Sequence, residues 1–323
     1  MTLSWTLRLF CVLAVVVGIV LAISQIVLAL AARGILRRLD TITARWRERI
    51  LYLLQIGPAL FAAFVAAALC LPAYLRGETN LESESVSALC LLLAVVMIVW
   101  FAFSLVAGLR ITLRTVRMAR ACRRSGRLIT HHGGIPVLAV PDSGPPVRLI
   151  GFFRPLILVS SRPAFAPGTF DLALAHERSH ATHRDNWKLL TLSFLPRFDR
   201  LLPGGDPWSR LWQQAADWAA DDDAVQSDRA RSLLLAEALV TAARAANSIQ
   251  ASRAYVCTAL TADDAGLAAR IDRLIHPRPG AQPSSSSVIL ALAAIVVFAA
   301  TAACALSPWI YTLSERLLHL GSA

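Results

Sequence analysis

Residues 86–127 read "VSALCLLLAVVMIVWFAFSLVAGLRITLRTVRMARACRRSGR". The first part, 86–109, has no Asp, Glu, Lys or Arg, and the second, 110–127, holds seven Arg. An apolar run of roughly 20 residues is long enough to cross a bilayer core of about 30 Å. The abrupt switch to arginine marks the end of the span and the side on which it ends, because Lys and Arg near span ends stay inside. This stretch therefore divides the chain into a membrane part before it and a domain after it.

Three further runs have the same character: 9–32, 50–75 and 288–311. Lipid offers the backbone no hydrogen-bond partners, so each is expected to be helical. The whole chain agrees: of 323 residues 56% are hydrophobic and 16% charged, with a mean hydropathy of +0.56. An ordinary soluble domain is excluded on that composition. The loop 33–49 carries six Arg, whereas 76–85 carries one Arg against three Glu. All three loops predict the same topology: N-terminus outside, 33–49 inside, 76–85 outside and 110–287 inside. The first run is too long for a signal-peptide core, and its charged n-region is nearly absent.

The formal charge of +11 does not point to nucleic acid. Thirteen Arg lie in the two loops beside the membrane, where they act as topology signals next to anionic lipid. No nucleic-acid motif is present, and no direct nucleic-acid binding is expected. Of the 32 basic residues only Lys188 is lysine. The six Cys form no CxxC pair and no disulfide framework, which suits an inside-facing domain.

Within 110–287, a basic helix should continue the third span to about Arg127. The runs 135–140, 147–153 and 155–161 read as strands of a small sheet. A helix follows near "PGTFDLALAHERSHATH", 167–183, with Thr169 as N-cap. A second begins at "DPWSRLWQQAADWAADDDAV", 206–225, with Asp206 as N-cap and Pro207 at the first helical position. Two more helical stretches cover 231–246 and 262–275, and a Pro/Ser linker, 276–287, leads to the last span.

The chemistry is concentrated in "HERSHATHRDN", 176–186. Residues four apart on a helix differ by roughly 40° around its axis. His176 and His180 thus share a face and can reach one metal ion, and Glu177 can reach a water bound to it. Alone, the five-residue pattern also fits a solvated polar face. A catalytic zinc needs a third protein ligand and an open position. His183 is rejected: three His on one stripe lie nearly in a line and cannot close a tetrahedron. His131 and His132 are either solvated or line the cleft. Asp217 and Asp221, in "DWAAD", again share one helical face. In zinc peptidases of the gluzincin type a Glu on a second helix is the third ligand, and an Asp four residues later bonds the free ring nitrogen of a ligand His. Asp217 and Asp221 occupy those two positions.

With "FFRPLILVSSR", "HERSHATHRDN" and "DWAADDDAV" together, the chain resembles the BlaR/MecR-type antirepressor integral membrane zinc metallopeptidases, over residues 1–311. The resemblance implies Zn2+, endopeptidase activity, a gluzincin domain in the cytoplasmic loop between the third and fourth of four spans, and a cytosolic DNA-binding repressor as substrate. Two departures stand out. The family usually has Glu where this chain has Asp217, a side chain shorter by one methylene. The beta-lactam sensors carry a large outer domain after the fourth span, so here a separate sensor protein is expected.

The resulting expectation is a membrane α-helical protein with a cytoplasmic α+β domain, in a bacterial inner or plasma membrane. Its parts are three spans in 1–109, a metallopeptidase domain in 110–287, a fourth span at 288–311 and an outer tail at 312–323. Its site comprises Glu177 as catalytic base, His176, His180 and Asp217 as metal ligands, and Asp221 behind them. Asp185 is read as structural, Asp222 and Asp223 as a solvated face. His276 and Tyr255 are candidates for stabilising the oxyanion. The rival readings are a non-catalytic membrane scaffold or signal relay with a degenerate zinc site, and a membrane quality-control protease.

Overall fold

The structure is a computed structural model that describes residues 2–77, 84–85, 87–141, 146–160, 168–198, 206–246, 257–259 and 264–277. The expected fourth span, the tail and Tyr255 lie outside the described residues.

Strand β1 (Thr2–Leu3) leads into helix α1 (Trp5–Leu39). Helix α2 (Ala44–Val65) continues through a π-helical turn (Ala66–Cys70) into α3 (Leu71–Gly77). Strand β2 (Glu84–Ser85) pairs with β1, and α4 follows at Ala88–Ser125. Three helices, Trp5–Leu39, Ala44–Cys70 and Ala88–Ser125, are long and apolar enough to cross a membrane. Their outward side chains support that use: Phe10, Leu30, Leu92, Val99 and Phe103 are all more than 60% exposed. A continuous apolar surface of this kind is unfavourable in water and favourable in lipid. Gly18 on α1 lies directly against the Met97 side chain of α4, the close approach that small residues allow between membrane helices. Both α1 and α4 run past their apolar parts into the arginine-rich segments.

The sheet has the order β3-β4-β6-β5-β7. Its strands are β3 (Arg127–His132), β4 (Ile135–Val140), β5 (Val147–Ile150), β6 (Leu156–Ser160) and β7 (Cys257–Ala259). The β4–β6 pair is parallel and the others are antiparallel. The expected strands at 135–140, 147–153 and 155–161 correspond to β4, β5 and β6. Strand β3 was not anticipated: its residues are mostly exposed, so it lacks the alternation that betrays a half-buried strand.

Successive strand residues point to opposite faces, and both faces of this sheet are covered. Ile157 and Val159 pack with α5 (Thr169–Thr182) and α8 (Arg229–Ala246). Leu156 and Leu158 pack with Met118, Ala119 and Cys122 of α4. Strands β5 and β6 are buried throughout, which accounts for the apolar run 156–159 and for Val147, Leu149 and Ile150; Arg148 of β5 is buried among them. Helix α4 thus begins as an apolar membrane-length segment and ends as one layer of the domain.

The remaining helices are α6 (Asp185–Phe194), α7 (Pro207–Val225) and α9 (Asp264–Ile275). Asp206 caps α7 by accepting the Ser209 N–H at 2.8 Å, with Pro207 at the first helical position. The cap of α5 is one residue earlier than expected: Gly168 takes it, at φ 84°. A left-handed backbone is easy for glycine, and Thr169 becomes a buried first helical residue. Leu192 of α6 and Trp208, Trp212, Ala215 and Ala216 of α7 form a second core with Leu39 of α1 and Leu51 of α2.

Candidate metal centre

Helix α5 presents His176, Glu177 and His180 in its last two turns, all fully buried. Their polarity would be unfavourable there without partners, and each has one. Leu149 of β5 donates its N–H to Glu177 Oε2 at 2.9 Å. His176 Nδ1 stands 2.9 Å from Asp221 Oδ1. His180 Nδ1 stands 2.7 Å from Asp185 Oδ2.

Both aspartates are held as carboxylates. Burial works against the charge of Asp221, but Arg270 and His176 outweigh it and keep the pKa well below the usual range. Asp185 is likewise lowered, its bonds to His180 and Lys188 outweighing burial. A carboxylate can only accept, so the proton of each pair belongs to Nδ1, and each Nε2 is turned toward the other ring. The two Nε2 atoms face each other at 3.2 Å. At that distance a positive charge, either a proton on His180 Nε2 or a metal ion, must lie between them.

Asp217 supplies the third donor. Its Oδ1 is 3.4 Å from His180 Nε2, and one donor atom from each of His176, His180 and Asp217 lies within 4.8 Å of the others. For zinc bonded at about 2.0–2.1 Å in a tetrahedron, adjacent donors stand about 3.3 Å apart. The 3.2 and 3.4 Å edges fit that spacing. The third edge, from His176 to Asp217, is bounded only at 4.8 Å, so the three donors form a candidate site for a metal ion. Burial disfavours charge on His180, yet hydrogen bonds to Asp185 and Asp217 push its pKa up to about 10, so without a metal the ring holds a proton that a bound cation would have to displace. Burial pushes the Glu177 carboxyl up to about 8.

His183 lies outside this cluster. It caps α5, partly exposed, with Nε2 3.2 Å from Asp223 Oδ2. His131 and His132 end the edge strand β3. Asp222 pairs with Arg273, and Asp223 accepts from Ser179 and Arg45. These two aspartates are ion-paired rather than simply solvated. His276 is exposed and 3.1 Å from Asp272.

Three contributors have no sequence motif. Arg270 of α9 is buried and donates to both oxygens of Asp221, Nε to Oδ2 at 2.9 Å and Nη2 to Oδ1 at 2.7 Å. Its Nη1 stands 3.9 Å from Asp217 Oδ2, so one cation holds both carboxylate positions of α7. Asn186 donates to the Gly151 carbonyl at 2.9 Å and ties α6 to β5. Lys188 bridges Asp185 and Glu48. In the sequence, "ARIDRLI" around Arg270 reads as an ordinary amphipathic helix and carries no sign of this contact.

No protein-family model matches the chain, and no curated protein is significantly similar to it.

Proposed function

We propose that the chain is a membrane-embedded zinc metalloendopeptidase of the gluzincin type, and that His176, His180 and Asp217 hold the metal. The observation that carries this reading is the pair of imidazole nitrogens 3.2 Å apart, each ring fixed from behind by an aspartate. A bound zinc would polarise the scissile carbonyl and acidify a water. Glu177 accepts the proton of the attacking water and returns it to the departing amine. A carboxyl raised to about 8 by burial suits a group that must both take and give a proton near neutrality. Asp221 and Asp185 fix the tautomer and direction of the two rings, and Arg270 keeps Asp221 charged.

The wider assignment rests on the resemblance to the BlaR/MecR-type antirepressors and on the arginine distribution. It places the N-terminus outside, the peptidase domain in the cytoplasm of a bacterial cell, and a fourth span after the domain. The substrate is then a cytosolic protein, a DNA-binding repressor.

The test uses the full chain in detergent. About one zinc per chain is expected by metal analysis, lost in His176→Ala and His180→Ala. Glu177→Gln should keep the zinc and lose cleavage of a confirmed cytosolic protein substrate. Metal-free wild type from a zinc-replete preparation would remove the site. Cleavage by Glu177→Gln at the wild-type rate would remove the mechanism.

A further inference from the structure

Lys188 is the single lysine among 32 basic residues, and its ammonium joins two carboxylates. It donates to Asp185 Oδ1 at 2.8 Å and to Glu48 Oε1 at 2.8 Å. The other oxygen of Asp185 faces His180 Nδ1. Glu48 lies in the first turns of α2, just before that helix becomes apolar, and is fully buried. Its Oε1 also accepts the Trp212 Nε1–H at 2.9 Å, and Trp212 stands on α7, five residues before Asp217. Four ionisable groups therefore form a continuous chain from a membrane-length helix to the back of one imidazole.

The chemistry of the link is specific. An ammonium is a compact point charge with three rotatable donors, and can divide itself between two carboxylates. With Glu48 charged, Lys188 is held between the two acids. With that charge removed, Lys188 is drawn wholly to Asp185, and the carboxylate that fixes the direction and basicity of His180 changes its balance. A partner behind a ligating histidine sets tautomer, orientation and donor strength.

We propose that Glu48 is a positioning residue for the metal centre, acting on His180 through Lys188 and Asp185. The metal site is thereby set from helix α2, not from the peptidase domain alone. This rests on the reading of His176, His180 and Asp217 as zinc ligands.

The experiment measures zinc affinity of the full chain in detergent, by competition with a chromophoric chelator, together with the visible spectrum of the cobalt form. Glu48→Gln should weaken zinc by about 3–10-fold, less than the 10–100-fold typical of a direct histidine partner, and shift the cobalt bands. Tyr52→Phe, which removes another contact of α2 to the domain, a 2.8 Å bond to Thr191, should leave both readouts unchanged. In an Asp185→Asn background, where the chain is cut, Glu48→Gln should have no further effect, the non-additivity expected of groups acting in series. If Glu48→Gln does not assemble, Lys188→Arg, whose planar fork cannot divide itself in the same way, should give the same weakening. Equal loss of affinity in Glu48→Gln and Tyr52→Phe would overturn the proposal, as would the same loss with and without Asp185. Wild type that binds no zinc would instead overturn the ligand assignment beneath it.

Discussion

Arg270 grips Asp221 with two parallel hydrogen bonds in a fully buried setting, 49 residues away in sequence. Both side chains are 1% exposed. Removing one member of a buried ion pair leaves the other charge uncompensated, which destabilises by about 3–5 kcal/mol. Arg270→Met should lower the thermal midpoint accordingly, and Asp221→Asn added to it should restore part of the loss. An unchanged midpoint in Arg270→Met would show that the pair contributes nothing net.

Asp217 is one methylene shorter than a glutamate, yet its Oδ1 comes within 3.4 Å of His180 Nε2. Helix α7 sits close enough for the short side chain. Asp217→Glu should therefore crowd the site and weaken zinc, and Asp217→Ala should weaken it further. Zinc titration of the three proteins checks the order. Tighter binding by Asp217→Glu would mean that the aspartate falls short of the metal.

Asp223 is half-exposed and accepts from Arg45 of α2 at 2.5 Å and from Ser179 at 2.6 Å. Burial opposes its charge, but its bonds to His183, Ser179 and Arg45 outweigh this and hold the carboxyl well below its usual range. A depressed carboxylate stabilises the fold above its unfolded pKa, and the contribution is lost as pH falls through the folded one. The contribution should be full near neutrality, begin to decline below about pH 4, and vanish only when the pH has fallen past the depressed folded value. Asp223→Asn should lower the midpoint at pH 7 and make its acid limb shallower. Parallel acid limbs for the two proteins would exclude this role.

Gly108 of α4 faces the ring of Phe194 at the end of α6, and a Cβ built there would lie 2.5 Å from Cδ1. Gly108→Ala should force the ring aside and destabilise by about 1–3 kcal/mol, the usual effect of overpacking. Phe194→Leu combined with Gly108→Ala should recover stability in the same unfolding assay. A neutral Gly108→Ala would mean that the ring moves freely.

Local periodicity made part of this arrangement legible in the sequence. His176 and His180, like Asp217 and Asp221, recur at helical spacing inside one element, so their shared faces could be read directly. The three described apolar helices were equally plain, because length and absence of charge suffice. What was hidden depends on contacts between distant segments. Arg270 meets Asp221 across 49 residues, and Lys188 meets Glu48 across 140. No spacing rule links such pairs. Glu48 lies in the segment 33–49, which the sequence marks only by its arginines, whereas α1 and α2 are helical almost through that segment and bury it. Asp185 was read as structural and stands directly behind His180, a role only the turn at Arg184, φ 57°, reveals.

The passage of α4 from apolar segment to sheet layer has a consequence for biosynthesis. Met118, Ala119 and Cys122 cover Leu138, Val140, Ile150, Leu156 and Leu158, so this half of the sheet has no lid until α4 is in place. A fragment starting at residue 127 would leave that face bare and self-associate. During synthesis, α4 leaves the ribosome before any of the strands it covers. Its arrival first supplies a template on which the strands can collapse as they emerge, so insertion and domain folding become a single ordered event.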